Sequence, residues 1–491
     1  MIQTRLHNDK IQVLVPKNSN VSKRLQEEFS VFKPGYQFDI RYRMGKTDGK
    51  KRFFKSYLIE DKILFEFELG FLNRLKKIIP LDLELKTEYT KEEILDFLKS
   101  EIKNLPFKPR KYQLKAVLNA LQNKRHLIKA ATGSGKSLIF YLIIKFLYQK
   151  NKRVVLIVPT IGLVTQAFSD MEEYRAPKDF LNSIQLIGGE FTDKEIKKPI
   201  VISTWQSLSK VKFNADCIIV DEVHTAKADV LQSIIKKKIP QKIGMTGTIP
   251  IVKIDGMKLE ETFGEYTTYT TAKDLIELGL LTKTVIVAVF LNYPKKYTRS
   301  GIKYQQESKL IRELPQRIDF TQKMIKKVSE KGITIAVYNT TKFGETLYET
   351  LTNSKLKKND FDYQKQLGVF FISGTTKSTV REQIREYLNS NESKNEILIA
   401  QSTTISTGIN LPKLTNLVFA EMPGKSFTKI LQSIGRVMRK SKDKGNTVYV
   451  WDIVDVFPYK TENYSMKHFW ERVEYYNSEQ HEIIEIEKQL E

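Results

Sequence analysis

Apolar positions along this chain fall into two kinds of pattern, and the change between them divides it. Residues 11–15 read as a strand, and residues 21–31 have helical spacing. Phe38, Ile40 and Tyr42 alternate with Asp39, Arg41 and Arg43, and Ile63, Phe65, Phe67 and Leu69 repeat the alternation, which predicts half-buried strands. Asp48-Gly49 is a hairpin-turn signal between the basic segments. Thr90 followed by Glu93 is a capping box, opening a helix whose apolar face is Ile94, Leu95, Leu98, Ile102 and Leu105. Beyond it the pattern becomes short, mainly apolar runs separated by helical stretches. The runs fall at 127–128, 153–158, 200–204, 217–220 and 243–245, then at 285–291, 333–338, 369–372, 397–400, 417–419 and 447–451. Unbroken apolar strands alternating with helices imply parallel sheets covered on both faces. The tail, 464–490, reads as one or two helices with Phe469, Trp470, Val473 and Tyr476 as an apolar patch.

The expected fold is therefore α/β: a small N-terminal α+β domain, two successive parallel-sheet domains and a short helical extension. The expected boundaries are 1–90, 91–280, 281–455 and 456–491. A length of 491 residues, too great for one hydrophobic core, agrees with several domains.

Composition adds a partner and removes some chemistries. The chain has 81 Lys and Arg against 57 Asp and Glu, a formal net charge of +24 that suggests a polyanionic partner, nucleic acid first. Its one cysteine, Cys217, rules out an internal disulfide and a cysteine-based zinc site, and the 5 histidines show no metal-ligand spacing. The first residues are polar rather than a signal core, and no apolar run reaches membrane-spanning length. A soluble protein of a reducing cytoplasm is expected, with no membrane partner and no structural metal.

The candidate chemistry centres on Ala131-Thr132-Gly133-Ser134-Gly135-Lys136-Ser137, between an apolar segment and an apolar helix. Strand, glycine-rich loop and helix N-terminus together cradle phosphate: the backbone N–H groups turn inward, Lys136 reaches the β/γ-phosphates, and Ser137 can ligate Mg²⁺. Ala130 stands where the general pattern has its first glycine. Downstream, the apolar run 217–220 leads into Asp221-Glu222-Val223-His224. An acidic pair at a strand's carboxyl end is placed for nucleotide chemistry, with Asp221 in the Mg²⁺ shell and Glu222 activating water. Gln113, ahead of the loop, carries an amide able to read adenine. Arg436 and Arg439 are three apart, so on a helix they share a face and can compensate γ-phosphate charge. In the N-terminal region Arg43, Lys46, Lys50, Lys51, Arg52 and Lys55 are interleaved with Tyr42, Phe53 and Phe54. That mixture suits either phosphate contact with base stacking or a solvated hairpin.

Taken in order, these segments resemble the motifs of the superfamily-two helicases and translocases. Residues 131–137 resemble motif I, in which that superfamily tolerates alanine for the first glycine. Arg110 to Gln113 resembles the adenine-reading Q-motif, Val158-Pro159-Thr160 motif Ia, Asp221 to His224 a DExH-type motif II, and Thr246-Gly247-Thr248 motif III. Ser406-Thr407-Gly408-Ile409-Asn410 resembles motif V, with Asn410 where many relatives carry an acid, and Gln432 to Arg439 matches the pattern of motif VI. Ser203-Thr204-Trp205-Gln206 and the stretch 35–49 extend the resemblance to the bacteriophage UvsW-type recombination helicases.

The resemblance implies tandem RecA-like domains with ATP and Mg²⁺ between them, and a DNA helicase acting on forks and Holliday junctions. Lys136, Asp221, Glu222, His224, Gln432, Arg436 and Arg439 would then be catalytic. Arg110, Gln113, Thr132 to Ser137 and Gly408 would bind nucleotide. Thr160, Ser203, Thr204, Trp205 and Thr403, with Arg43, Lys50, Lys51 and Arg52, would bind nucleic acid. Residues 295–303 read as a strand-guiding hairpin or a solvated loop. A double-strand translocase, an RNA helicase and an ATP-gated clamp remain alternatives, and oligomeric state is left open.

Overall fold

Strand order explains how sequence-distant loops come together. A computed structural model describes the chain apart from residues 1, 8, 190–194, 226–229, 231–232, 235–236, 251, 298–302, 403, 405–410, 412, 423–446, 460 and 491. It divides into two units, Met1–Thr270 and Thr271–Glu491.

The first unit opens with β1 (Gln3–His7), β2 (Lys10–Pro16), β3 (Ser30–Phe32), β4 (Lys50–Arg52), β5 (Lys55–Ile59) and β6 (Lys62–Glu68). An antiparallel sheet runs β1-β2-β6-β5, and β3 pairs with β4 apart from it. The alternation in β6 places Phe65 and Phe67 in a core with Val13, Val15, Phe29 and Phe71. That core also takes Ile254 and Met257 from helix Lys253–Phe263. Arg74 forks onto Glu260 of the same helix, with Nε 3.0 Å from Oε1 and Nη2 2.7 Å from Oε2. Gly70 lies so near this helix that a Cβ would stand 2.0 Å from the Glu260 carbonyl. The N-terminal module is thus built onto the sheet domain that follows it.

One expected strand is absent. Residues 38–43 form a 3-10 turn, Tyr36–Phe38, and a short helix, Ile40–Arg43. Asp39 caps that helix by accepting the Arg41 N–H, and the alternating apolar residues find no sheet to face. The basic hairpin pairs differently as well: β4 pairs with β3, so Asp48-Gly49 ends a long excursion rather than a two-residue turn. Phe53 is buried, and Phe54 packs edge-on against Phe65.

The first parallel sheet consists of β7 (Arg125–Ala130), β8 (Val154–Val158), β9 (Ile184–Ile187), β10 (Ile200–Thr204), β11 (Cys217–Val220), β12 (Gln241–Thr246) and β13 (Tyr266–Thr270). Its order is β13-β7-β12-β11-β8-β10-β9. β8 and β11 are buried along their whole lengths, as inner strands with helices on both faces must be. β9 and β13 escape sequence reading because edge strands tolerate polar residues, as in Tyr-Thr-Thr-Tyr-Thr of β13.

The second unit repeats the architecture with β14 (Lys283–Asn292), β15 (Thr334–Tyr338), β16 (Val369–Ile372), β17 (Ile397–Gln401), β18 (Asn416–Phe419), β19 (Thr447–Val456) and β20 (Glu482–Gln489). The order is β16-β17-β15-β18-β19-β14-β20, and every pair is parallel. The expected α/β fold of tandem RecA-like sheets is borne out, with one correction in the tail. Helix Tyr464–Ser478 is followed by a strand, β20, which pairs with β14 from Val285↔Glu482 to Asn292↔Gln489. Glu482, Glu485 and Glu487 disguise it, because an edge strand can leave charged side chains in water. The units meet at 270/271, so helix Ala272–Glu277, expected in the domain ending at 280, falls in the second unit.

Candidate nucleotide site

Adjacent positions of β7, β12 and β11 bring three loops to one edge: 131–135 after β7, 247–250 after β12 and 221–222 after β11. Gly133 and Gly135 hold φ of 85° and 76°, left-handed values that let the loop fold back before helix Lys136–Gln149 begins. A Cβ at Gly135 would stand 2.5 Å from Gln113 Nε2. The buried Gln113 braces the loop: its amide donates to the Ser134 carbonyl at 2.8 Å and accepts the Arg110 N–H at 2.8 Å. Tyr112 OH donates to the same Ser134 carbonyl at 2.7 Å. The expected adenine reader is thus committed at both ends to protein, because the loop's outward-facing carbonyls need donors.

Lys136 Nζ lies 3.1 Å from Glu222 Oε1 and 3.3 Å from the Ala130 carbonyl. Ser137 Oγ meets Tyr174 OH at 2.7 Å, a partner 37 residues away that no spacing announces. Glu222 sits at φ 45°, a strained value for a residue with a side chain, where the chain turns off β11. His224 Nδ1 is 2.6 Å from Thr246 Oγ1 and 3.3 Å from Glu222 Oε2. Thr246 gives its own proton to the Thr248 carbonyl at 2.7 Å, so His224 must carry hydrogen on Nδ1 and leave Nε2 bare.

Electrostatics sets the two acids apart. Burial, and then the Glu222 charge beside it, raise Asp221 above the usual carboxylate range. Burial works to raise Glu222 too, but Lys136 and His224 outweigh it and hold Glu222 below its ordinary value. Burial also lowers His224, which favours the neutral ring. Asp221 Oδ1, Ser134 Oγ and His224 Nε2 are buried and have no hydrogen-bond partner among the described residues. A carboxylate oxygen left in this state costs free energy unless something positive pairs with it. A hard divalent cation with phosphate oxygens suits this set, Lys136 supplying one fixed charge and Ser137 one hydroxyl.

The expected nucleic-acid residues fare unevenly. Thr160 caps helix Ile161–Glu173, its hydroxyl accepting the Leu163 N–H at 3.4 Å. Ser203, Thr204 and Trp205 each take a structural role where β10 turns into the helix that follows it. The Ser203 hydroxyl is buried and donates within reach of the Ile187 carbonyl at 3.1 Å. Thr204 caps helix Trp205–Leu208, and Trp205 joins Val155, Ile157 and Val201 in the core. Arg43 and Arg52 are exposed. Lys50 lies 4.9 Å over the Phe32 ring and Lys51 5.1 Å over Phe53. Thr403, Gly408, Gln432, Arg436 and Arg439 lie outside the described residues, as does most of 295–303 beyond Tyr297. Among the described residues no helix is long and apolar enough to cross a membrane, and no cluster of three His, Cys, Asp or Glu is placed to hold a metal.

Comparison with known proteins agrees with this geometry. Residues 106–251 match the type III restriction enzyme res subunit, and residues 316–441 match the helicase conserved C-terminal domain. The chain belongs to the superfamily-two helicases and is an ATP-dependent enzyme acting on nucleic acid. It is 28% identical over 495 residues, 94% of each chain, to the ATP-dependent DNA helicase uvsW of Enterobacteria phage T4. It is 25% identical over 440 residues to the DNA 3'-5' translocase XPB2 of Sulfurisphaera tokodaii, covering 80% of this chain and 94% of that one. A fragment of an HsdR subunit of a type I restriction enzyme from Vibrio vulnificus shares the fold, with a TM-score of 0.54 at 19% identity over 92% and 91% of the two chains.

Proposed function

We propose that the chain unwinds or remodels branched DNA, such as forks and Holliday junctions, by branch migration in recombination, replication or repair. The carrying observation is that similarity to the phage DNA helicase covers 94% of both chains, and so includes the N-terminal module built onto the first sheet. Lys136 and the backbone of 132–137 bind the nucleotide phosphates. Ser137 and Asp221 hold Mg²⁺, which when bound neutralises phosphate charge. Glu222, kept ionised by Lys136, takes the proton of the attacking water, and His224 links it to Thr246. Gln432, Arg436, Arg439 and Gly408 complete the nucleotide contacts. Thr160, Thr403, Arg43, Lys50, Lys51 and Arg52 grip DNA. Residues 1–90 are proposed as the DNA-binding module, working in the host-cell cytoplasm, where the buried thiol of Cys217 stays reduced.

A double-strand translocase is the second reading, favoured by the match of 106–251 to a restriction-enzyme subunit and by the archaeal translocase. Strand displacement on forked DNA, blunt duplex and RNA duplex, beside triplex displacement, decides between them. ATP-dependent separation of forked DNA is expected, with RNA a poor substrate. Triplex displacement without strand separation would replace helicase by translocase.

A further inference from the structure

Residues 33–49, the excursion between β3 and β4, are used by neither the nucleotide site nor the core. The Lys33 N–H donates to the Gly49 carbonyl at 2.9 Å and closes its ends. Tyr36 stacks on Phe32 with ring centroids 4.3 Å apart and meets Tyr42 edge-on at 4.9 Å. Gly49, at φ +71°, leaves room for that ring: a Cβ there would stand 2.8 Å from Tyr36. Tyr36 therefore plugs the frame from inside, and the segment holds its shape without a sheet.

Beside this frame stand large apolar side chains open to water. Phe38, Ile40 and Met44 are 72%, 71% and 61% exposed, and Ile40 and Met44 stand one helical turn apart. Single exposed apolar side chains mean little, but three large ones within one short segment mark a contact surface. Around it the charge is one-sided: residues 33–52 carry seven Lys and Arg against two Asp. Asp39 and Asp48 are taken by Arg41 at 3.1 Å and Arg52 at 2.5 Å. Arg43, Lys46, Lys50 and Lys51 have no carboxylate partner among the described residues. An apolar tip in a cationic collar complements a polyanion that also exposes flat apolar faces. Nucleic acid offers such faces without an unstacking cost where bases have already lost a stacking neighbour, at an end or a branch.

We propose that Phe38, Ile40 and Met44 form a wedge that stacks on the bases freed at a DNA branch point, while Arg43, Lys46, Lys50 and Lys51 hold the flanking phosphates. This rests on the branched-DNA reading above and adds the element that recognises the branch. An intact duplex must be unstacked before the tip can enter it, so the wedge contributes preference for branches and the collar contributes general affinity.

The test uses the full chain with Phe38→Ala, Ile40→Ala and Met44→Ala combined, its fold checked by an unchanged denaturation midpoint. Binding to a fork, and its competition by a covalently closed circular duplex that has no ends, is followed by anisotropy across a salt series, with 2-aminopurine at the branch reporting stacking. The variant is expected to lose about tenfold on the fork, together with the 2-aminopurine response, and to keep its duplex affinity and salt slope. Retained fork preference, or an equal loss on fork and duplex, overturns the wedge while leaving the branched-DNA reading standing. A wild-type chain with no fork preference overturns that reading and the wedge with it. Self-association or anionic-vesicle binding that the variant alone loses, with fork binding intact, assigns the tip to a second copy or a membrane instead.

Discussion

In the second unit, the buried carboxylates of β19 are paired to completion. Asp455 receives Arg317 Nε at 2.6 Å and Tyr293 OH at 2.8 Å, and Asp452 receives Arg472 through two bonds of 2.8 Å and Tyr476 OH at 2.9 Å. In the first unit, Asp221 follows a strand of the same kind of sheet and is half-buried, yet its enclosed Oδ1 has no partner among the described residues. Its neighbour Glu222 is held by Lys136 in a strained backbone. The same fold thus treats buried charge in two ways. Where arginine forks close on the acid, the charge fastens sheet to helix. Where an oxygen stays open, the protein tolerates a local cost that a ligand can offset.

Breaking the comparison at its functional end should give the largest effect. Lys136→Ala removes the fixed charge from the phosphate loop, and nucleotide hydrolysis should fall roughly 10³-fold in a phosphate-release assay. Salt-sensitive DNA binding should persist, and retained hydrolysis would sink the site assignment. At the structural end, Arg317→Met leaves Asp455 buried and uncompensated, and denaturant unfolding should show a loss of about 4 kcal/mol. Adding Asp455→Leu should recover most of it, whereas no recovery would mean the pair is not what holds the helix to β19.

Both units also bury an imidazole, which tests acid tolerance. Burial lowers His126 and His481 to about 4. The unfolded chain takes up these protons near pH 6.5, so stability is full above that value and falls as pH drops toward about 4. His126 should account for about 3 kcal/mol of the loss between pH 7 and 4. His126→Gln, which keeps a polar partner for Tyr269, should flatten that limb, and an unchanged pH profile would refute the assignment. The smallest effect has the opposite sign. Asp221→Asn removes the open buried charge, so the ligand-free protein should gain about 1 kcal/mol in thermal unfolding while hydrolysis is lost. A destabilised variant would show that Asp221 is satisfied after all.

What could be read beforehand was whatever lies within one stretch of chain. Thr132 to Ser137 is a contiguous loop whose glycines and charge state their purpose, and the buried strands announce themselves by unbroken apolar runs. Asp221 and Glu222 were legible because they follow such a run directly. Phe38, Ile40 and Tyr42 misled for the same reason: alternation is local, but whether a sheet lies beneath it is not. β20 was hidden because its glutamates are tolerable only at an edge, and the chain does not say which strand will be the edge.

By itself, then, the sequence determined the class of fold and the placing of a glycine-rich loop and an acidic pair beside apolar strands, since those depend on neighbours along the chain. Tertiary structure alone decided that Gln113 braces the loop, that Tyr174 meets Ser137, that Trp205 is core, and that Phe38, Ile40 and Met44 face water. Burial and hydrogen-bond partnership across tens of residues belong to the packed chain, and no local spacing carries them.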